Sequence, residues 1–334
     1  MVKRTIKKLL KQQQSKKRKI FWFLFSLIVL SFLSVFVFKF FVSVKKSLWD
    51  GKSRFTLVIS ADPVIITSFN PEDKSLSNLL LPEKTFIETI HGYGPCRAEA
   101  IYRLGELNHQ GADLLSGSLE SYFGLPIDAY VFNHKVDSSY SYQSASDFKK
   151  FLDKKLSLAS KKETNLTAWD LIHLWWINRQ IRIDKVEIID LAQTRAIEQT
   201  SMPDGSLAVK IDSQRLELVI GQYFADGQIK KEDLTIAVLN GTKHSGLANK
   251  LANLIKNIGG RVIRVGEVDL TESPGDFDDV KCVIKTAKKY KNYYTIQKLI
   301  NIFDCQWEGD ETINERSSVV IIVGDKYWRM LTLP

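Results

Sequence analysis

The chain has 334 residues, with 47 Lys and Arg against 38 Asp and Glu, a formal net charge of +9. Nine basic residues (Lys3, Arg4, Lys7, Lys8, Lys11, Lys16, Lys17, Arg18 and Lys19) precede residue 20 with no acid among them, so the rest of the chain holds 38 charges of each sign. A neutral body argues against a nucleic-acid-binding domain, which draws its affinity from Lys and Arg clustered on phosphates, and a tail this short cannot fold a DNA-reading domain of its own.

Ile20 to Phe38 is an uncharged run, and Phe40, Phe41 and Val42 extend it past Lys39. Roughly 20 apolar residues in a helix cover ~30 Å of hydrocarbon. The run is longer than a signal-peptide core, and no small-x-small cleavage site follows it. The spacing therefore predicts one transmembrane helix over 20–42, with the basic tail 1–19 in the cytoplasm and the bulk of the chain extracytoplasmic. The tail's charge also suits anionic lipid headgroups. About 285 residues remain, a length that favours two domains.

After a linker, Phe55 to Ala61 and Val64 to Phe69 read as two strands around Asp62-Pro63, a hairpin-like start. Asn70-Pro71-Glu72-Asp73 is a turn cluster, and Leu79-Leu80-Leu81 a short apolar run closed by Pro82. Helical spacing follows at Ala98, Ile101, Tyr102 and Leu104, then from Leu114 to Phe123 with Gly124 as a stop. Ile127 to Phe132 reads as a strand, Phe148 to Leu158 as an amphipathic helix, Thr167 to Trp176 as a helix capped by Thr167, and Val186 to Leu191 as a strand. This order predicts an α/β domain over 50–200, ending where Met202-Pro203-Asp204-Gly205 makes a turn. A connecting region over 206–231 contains a helix from Ser213 to Phe224.

The last domain, 232–330, reads as strand Leu234 to Leu239, helix Ser245 to Ile258, strand Val262 to Val265, strand Val280 to Ile284, helix Tyr293 to Phe303 and strand Val319 to Val323. That βαββαβ order predicts a ferredoxin-like split βαβ fold. The cysteines Cys96, Cys282 and Cys305 are odd in number and lack a C-x-x-C spacing; a Cys282 to Cys305 bridge and two buried free thiols both remain open.

No nucleophile elbow, phosphate loop, H-E-x-x-H or paired-cysteine metal pattern occurs, and the five histidines share no ligand spacing. Asn240-Gly241-Thr242 leads from a strand toward a helix start, where free N–H groups favour an anion, although Asn-Gly is first of all a turn dipeptide. Trp175 and Trp176 offer stacking surfaces, with core packing as the plainer role. Lys281, Lys285, Lys288, Lys289 and Lys291 with Tyr290 form a basic run that suits an anionic polymer or, more simply, a solvated face.

Leu234 to Val268, with Val238-Leu239-Asn240-Gly241-Thr242, Gly246-Leu247-Ala248 and Gly259-Gly260-Arg261-Val262, resembles the C-terminal domain of LytR-type envelope proteins, as does the closing Val319-Val-Ile-Ile-Val-Gly-Asp. Upstream, the anchor, the opening strands, Leu80-Leu81-Pro82 and Gly124-Leu-Pro-Ile-Asp-Ala-Tyr-Val resemble the LytR-CpsA-Psr domain. The resemblance implies transfer of a glycopolymer from a polyprenyl pyrophosphate carrier to peptidoglycan, with Arg on the phosphates and Asp on Mg²⁺.

The family's Pro-Arg-Asp stretch stands here as Pro82-Glu83-Lys84, and its Arg-x-Asp-like element as Ser53-Arg54-Phe55-Thr56. Arg54 and Arg97 remain as phosphate-binding candidates and Asn240, Gly241 and Thr242 as a ligand turn, with no catalytic or metal residue assigned. The resemblance therefore implies a degenerate relative that binds or scaffolds envelope components (peptidoglycan, glycopolymer or polyprenyl-phosphate lipid) without a cofactor. The alternative is an active Mg²⁺-dependent glycopolymer phosphotransferase with shifted ligands among Asp50, Asp62 and Glu83.

Overall fold

Every residue of β1 (Phe55–Ile59) and β2 (Ile65–Asn70) is buried in the computed structural model of the chain. Covering on both faces suits β1, apolar apart from Thr56, while β2 carries Thr67, Ser68 and Asn70 buried among its apolar residues. The structure describes residues 22–23, 25–27, 30–31, 33–35, 37–59, 63–82, 84–132, 144–158, 162–201, 207–268, 277–310 and 317–333. β1 and β2 pair antiparallel, the expected hairpin-like start. β3 (Ser75–Leu80) returns antiparallel to β2 across the turn at Asn70; only its last residues read as apolar because its first half is Ser-Leu-Ser-Asn.

A two-stranded ribbon, β4 (Phe86–Glu88) with β5 (Pro95–Arg97), leads into α1 (Ala98–Glu106) and α2 (Gly111–Phe123). Gly124 ends α2 in the left-handed conformation at φ 58°, as a glycine stop predicts. β6 (Ala129–Phe132), α3 (Ala145–Leu156), β7 (Glu163–Thr164), α4 (Ala168–Gln180) and β8 (Val186–Asp190) follow. The sheet order is β7-β6-β1-β2-β3-β8, with β6 parallel to β1 and β8 parallel to β3. Period-two alternation sorts its faces. Val58, Ile66 and Leu79 meet α1 and α2, whereas Leu57, Ile65 and Leu76 meet Phe148, Phe151 and Leu174 of α3 and α4.

The sequence reading ends this domain at residue 200, and the structure extends it. β9 (Ile197–Ser201) and β10 (Leu207–Ile211) pair antiparallel across that point, and α5 (Ser213–Tyr223) follows. Ala196, Ile211, Leu216, Ile220 and Phe224 join the apolar cluster of α1 and α2. The domain thus runs to Phe224, and the connection shrinks to α6 (Gly227–Glu232). A turn cluster between two strands signals a hairpin as readily as a linker.

The last domain contains β11 (Thr235–Asn240), α7 (Leu247–Asn257), β12 (Arg261–Glu267), β13 (Cys282–Thr286), α8 (Tyr294–Phe303), β14 (Gln306–Gly309), β15 (Val319–Val323) and α9 (Asp325–Thr332). Its sheet order, β12-β11-β15-β13-β14, corrects the ferredoxin-like expectation. A split βαβ unit needs another strand between its two parallel strands. Here β11 is the direct parallel neighbour of β12, and β13 that of β14, while β15 joins the two units. The largely exposed β14 has no apolar run to announce it.

Residues 1–19 lie outside the described residues, as do several positions of the expected anchor. The described residues between 22 and 45 have helical backbone, with Trp22, Phe23, Leu30 and Phe38 exposed. Among the described residues no helix is long and apolar enough to cross a membrane.

Candidate functional site

The two domains meet along a seam of buried and half-buried polar groups. Arg54, at the start of β1, is 9% exposed and donates through Nη1 to Ser68 Oγ (3.2 Å) and the Tyr223 carbonyl (3.0 Å). Its Nε has no hydrogen-bond partner. Opposite, Lys298 on α8 donates to the Arg54 carbonyl (2.8 Å) and lies 3.9 Å from Asp128 Oδ1. Asp128 is fixed from behind, its Oδ2 accepting the Thr56 N–H at 2.7 Å. Tyr294 donates its hydroxyl to Asp226 at 2.6 Å, and Glu232 accepts the first two N–H groups of α8. Between these groups lies a cavity of about 20 Å³, room for a single water, lined by Arg54, Thr56, Asp128, Asp226 and Lys298 with apolar walls from Phe224 and Ile258.

Burial sets the electrostatics. Desolvation pulls the Arg54 guanidinium below its ordinary value, with Asp226 and Asp73 opposing. It pushes Asp128 up against the favourable charge of Lys298, and raises Tyr294, helped by Asp226. The Glu120 carboxyl, behind Asp128, is pushed up to about 7 by burial, only partly offset by the Ile127 N–H it accepts. Groups paired this way hold two surfaces together.

The structure does not bring the candidate residues of the sequence into one site. Arg97 sits at the end of β5, its guanidinium 5.7 Å over the Phe86 ring. Arg54 adjoins the Phe69–Leu76 end of the β2–β3 pair, whereas Arg97 pairs with Phe86, a few residues beyond its Ile65–Leu80 end. Asp50 Oδ1 accepts the N–H groups of Lys52 and Ser53 and the Ser53 hydroxyl. Burial works against the Asp50 charge, but these bonds and Lys298 outweigh it and hold the carboxyl below its ordinary value. Asp62 and Glu83 lie outside the described residues. Among the described residues no three His, Cys, Asp or Glu side chains converge as a metal-holding group.

The Asn240-Gly241-Thr242 turn closes on itself. Asn240 is 4% exposed; its Oδ1 accepts the Thr242 N–H and hydroxyl, and its Nδ2 donates to the His244 carbonyl. His244 stacks at 3.7 Å on Trp328. The basic run is largely partnered within its own unit: Lys281 with Asp304, Lys285 with Glu308, and Lys291 over Trp307. Cys282 and Cys305 form a disulfide across the β13–α8–β14 unit, and Cys96 is free.

Sequence reasoning missed Asp128, Asp226, Glu232, Tyr294 and Lys298, because the seam gathers them from distant positions at no fixed spacing. A signal did exist in two of them. Asp128 stands alone within the run Leu-Pro-Ile-Asp-Ala-Tyr-Val, and Lys298 is the one cation in the otherwise uncharged helix Tyr294–Phe303. A lone charge in an apolar context is costly unless paired, which predicts a partner.

Residues 233–327, the C-terminal domain, match the family described as LytR cell envelope-related transcriptional attenuator. No curated protein matches the sequence. Among solved structures the chain is similar to TagT of B. subtilis, at 18% identity over 51% of this chain and 89% of that one, with a TM-score of 0.37. It is likewise similar to the LytR-CPS2A-psr family protein YwtF (TagT) with bound octaprenyl pyrophosphate lipid, at 18% identity over 51% and 88% and a TM-score of 0.36. TagV of B. subtilis gives 16% identity over 50% and 94%, with a TM-score of 0.37.

Proposed function

We propose that this chain is a single-pass membrane protein of the bacterial cell envelope, its basic tail in the cytoplasm, whose two outer domains bind or scaffold an envelope component without catalysis. The placement of Arg54 and Arg97 carries this reading. Gripping a pyrophosphate takes guanidinium groups within a few ångströms of one another, whereas Arg54 is committed to the domain seam and Arg97 stands on the separate two-stranded ribbon over the Phe86 ring. The Cys282–Cys305 disulfide supports an oxidising, extracytoplasmic setting. The uncharged run 20–38 and the nine basic residues before it support the anchor and its orientation. The partner expected from the family resemblance is a polyprenyl-phosphate lipid, a glycopolymer or peptidoglycan.

The full-length chain in nanodiscs, given polyprenyl pyrophosphate-linked glycopolymer with and without Mg²⁺, tests the reading. Binding without turnover is the expected result. Mg²⁺-dependent turnover that disappears in Arg97→Ala would establish the glycopolymer phosphotransferase instead. Labelling of engineered cysteines in intact cells checks the topology: positions past residue 50 are expected to react from outside, and protection there would end the anchored reading.

A further inference from the structure

Helix α4 is apolar on two sides. Leu171 and Leu174 pack inward against the sheet, while Ile172 and Trp176 are 39% and 61% exposed, and Ile183, just past the helix, is 58% exposed. Ile172, Trp176 and Arg179 follow the four- and three-residue steps of one helical stripe. A helix apolar on all sides is ordinarily buried on all sides or lies in lipid. α4 is buried on one side only.

Its position says what covers the other. The apolar segment at the N-terminal end of the chain docks directly on the start of α4. The Phe40 ring meets the Trp169 ring at 5.1 Å, and Ser43 Oγ accepts the Trp169 N–H. Asp170 then gathers the Ser47 hydroxyl and the N–H groups of Leu48 and Trp49. Phe40 lies about five residues, or ~8 Å, before the helical backbone ends at residue 45. The start of α4 therefore lies alongside the apolar helix, level with its entry into hydrocarbon. The composition of the stripe fits that depth. Indole rings with one wet edge concentrate at membrane interfaces. The Arg179 guanidinium stacks 4.1 Å over the Trp175 ring and can reach anionic headgroups, and Arg182 follows it, its Nε on Asp184 at 3.0 Å and its remaining N–H groups at the exposed surface.

We propose that the Ile172–Trp176–Ile183 stripe, edged by Arg179 and Arg182, seats on the outer lipid surface at headgroup level and fixes the orientation of the middle domain against the bilayer. This rests on the anchored topology proposed above. An interfacial helix of this kind buries its apolar face by ~5–10 Å, which brominated lipid reports directly.

The test uses the full-length chain in a Cys96→Ser background with one new cysteine at a time: Phe40→Cys, Ile172→Cys, Trp176→Cys or Leu218→Cys. Each carries an environment-sensitive fluorophore and is reconstituted in phosphatidylethanolamine–phosphatidylglycerol vesicles with or without lipid brominated high on its acyl chains. Leu218 is the control, being 74% exposed on α5, which covers the opposite face of the sheet from α4. The labels at 40, 172 and 176 are expected to lose most of their fluorescence to bromine while the label at 218 keeps it. Ile172→Cys retains both indoles, so it reads the surface even where Trp176→Cys disturbs it. If 172 and 176 behave like 218 while 40 is quenched, the lipid-facing stripe is wrong and the anchor stands. If 40 also escapes quenching, the anchored reading and this inference fall together.

Discussion

Glu120 shows how much a single buried carboxyl at the seam decides. Its pKa rises from 4.5 to about 7 on burial, so between those values the folded chain binds a proton that the unfolded chain has released. The associated stability is fully present below the unfolded value and is lost as pH rises through 7; Asp128, also raised, acts in the same direction. The chain should therefore lose on the order of 2 kcal/mol of stability between pH 5 and pH 8, and Glu120→Gln should flatten that slope while keeping an acceptor for the Ile127 N–H. Thermal unfolding of both proteins across that range is the check, and equal slopes would clear Glu120 of the effect. At Asn240 the sequence offered two roles, turn and ligand contact, and could not separate them, because an Asn side chain that closes its own turn and one that waits for an anion have the same neighbours in sequence. The structure spends its amide within the turn. Asn240→Ala should accordingly cost about 1–3 kcal/mol through the unsatisfied donors it leaves, read as a lower denaturation midpoint.

At the scale of elements, periodicity carried far. The β1–β2 hairpin, α1, α2, β6, α3, α4, β8 and the strands β11, β13 and β15 all stand where apolar spacing and turn residues placed them, since each buries the face that the pattern marks. What periodicity could not show was pairing. The two βαβ units of the last domain give the same element order whether another strand lies between their partners or not, and the largely exposed β14 and the ribbon β4–β5 lack an apolar run. Thr167 was legible as a cap, but not that its partner Asp170 also holds the segment after the apolar helix. Asp170 completes a capping box with Thr167 and accepts from Ser47, Leu48 and Trp49 while itself fully buried. Asp170→Ala removes a cap and strands several buried donors at once, which should cost about 3 kcal/mol and expose the 46–49 segment to protease before any global unfolding. The disulfide staples a loop of 23 residues' separation around α8. Reducing it should lower stability by about 3 kcal/mol through the freed unfolded chain, visible as a drop in unfolding temperature on adding reductant; an unchanged temperature would mean the bridge adds nothing beyond what packing already fixes.

For the whole molecule, the question is whether two domains with separate cores behave as one body. The seam argues that they do. Lys298 and Tyr294 of the last domain reach Arg54, Asp128 and Asp226, and Asn257 at the end of α7 donates to the carbonyls of Phe123 (3.3 Å) and Gly124 (2.7 Å). Gly124 is where these demands converge. Its φ of 58° is left-handed, and a Cβ there would lie 2.8 Å from Asn257 Nδ2, closer than side chains tolerate. The strain alone is worth roughly 1–2 kcal/mol, and the methyl group must also turn aside the Asn257 amide, loosening the bonds by which α7 holds the end of α2 beside the charges of the seam. Buried pairs that lose a partner cost several kcal/mol, so the damage should spread along the interface. The wild-type chain is expected to unfold in a single calorimetric transition. Gly124→Ala should lower it and divide it in two, the earlier step belonging to whichever domain depends more on its neighbour. A single transition at an unchanged temperature would show that α2 and α7 yield without disturbing the seam, and the coupling would then have to reside in Lys298 and Asp128 alone.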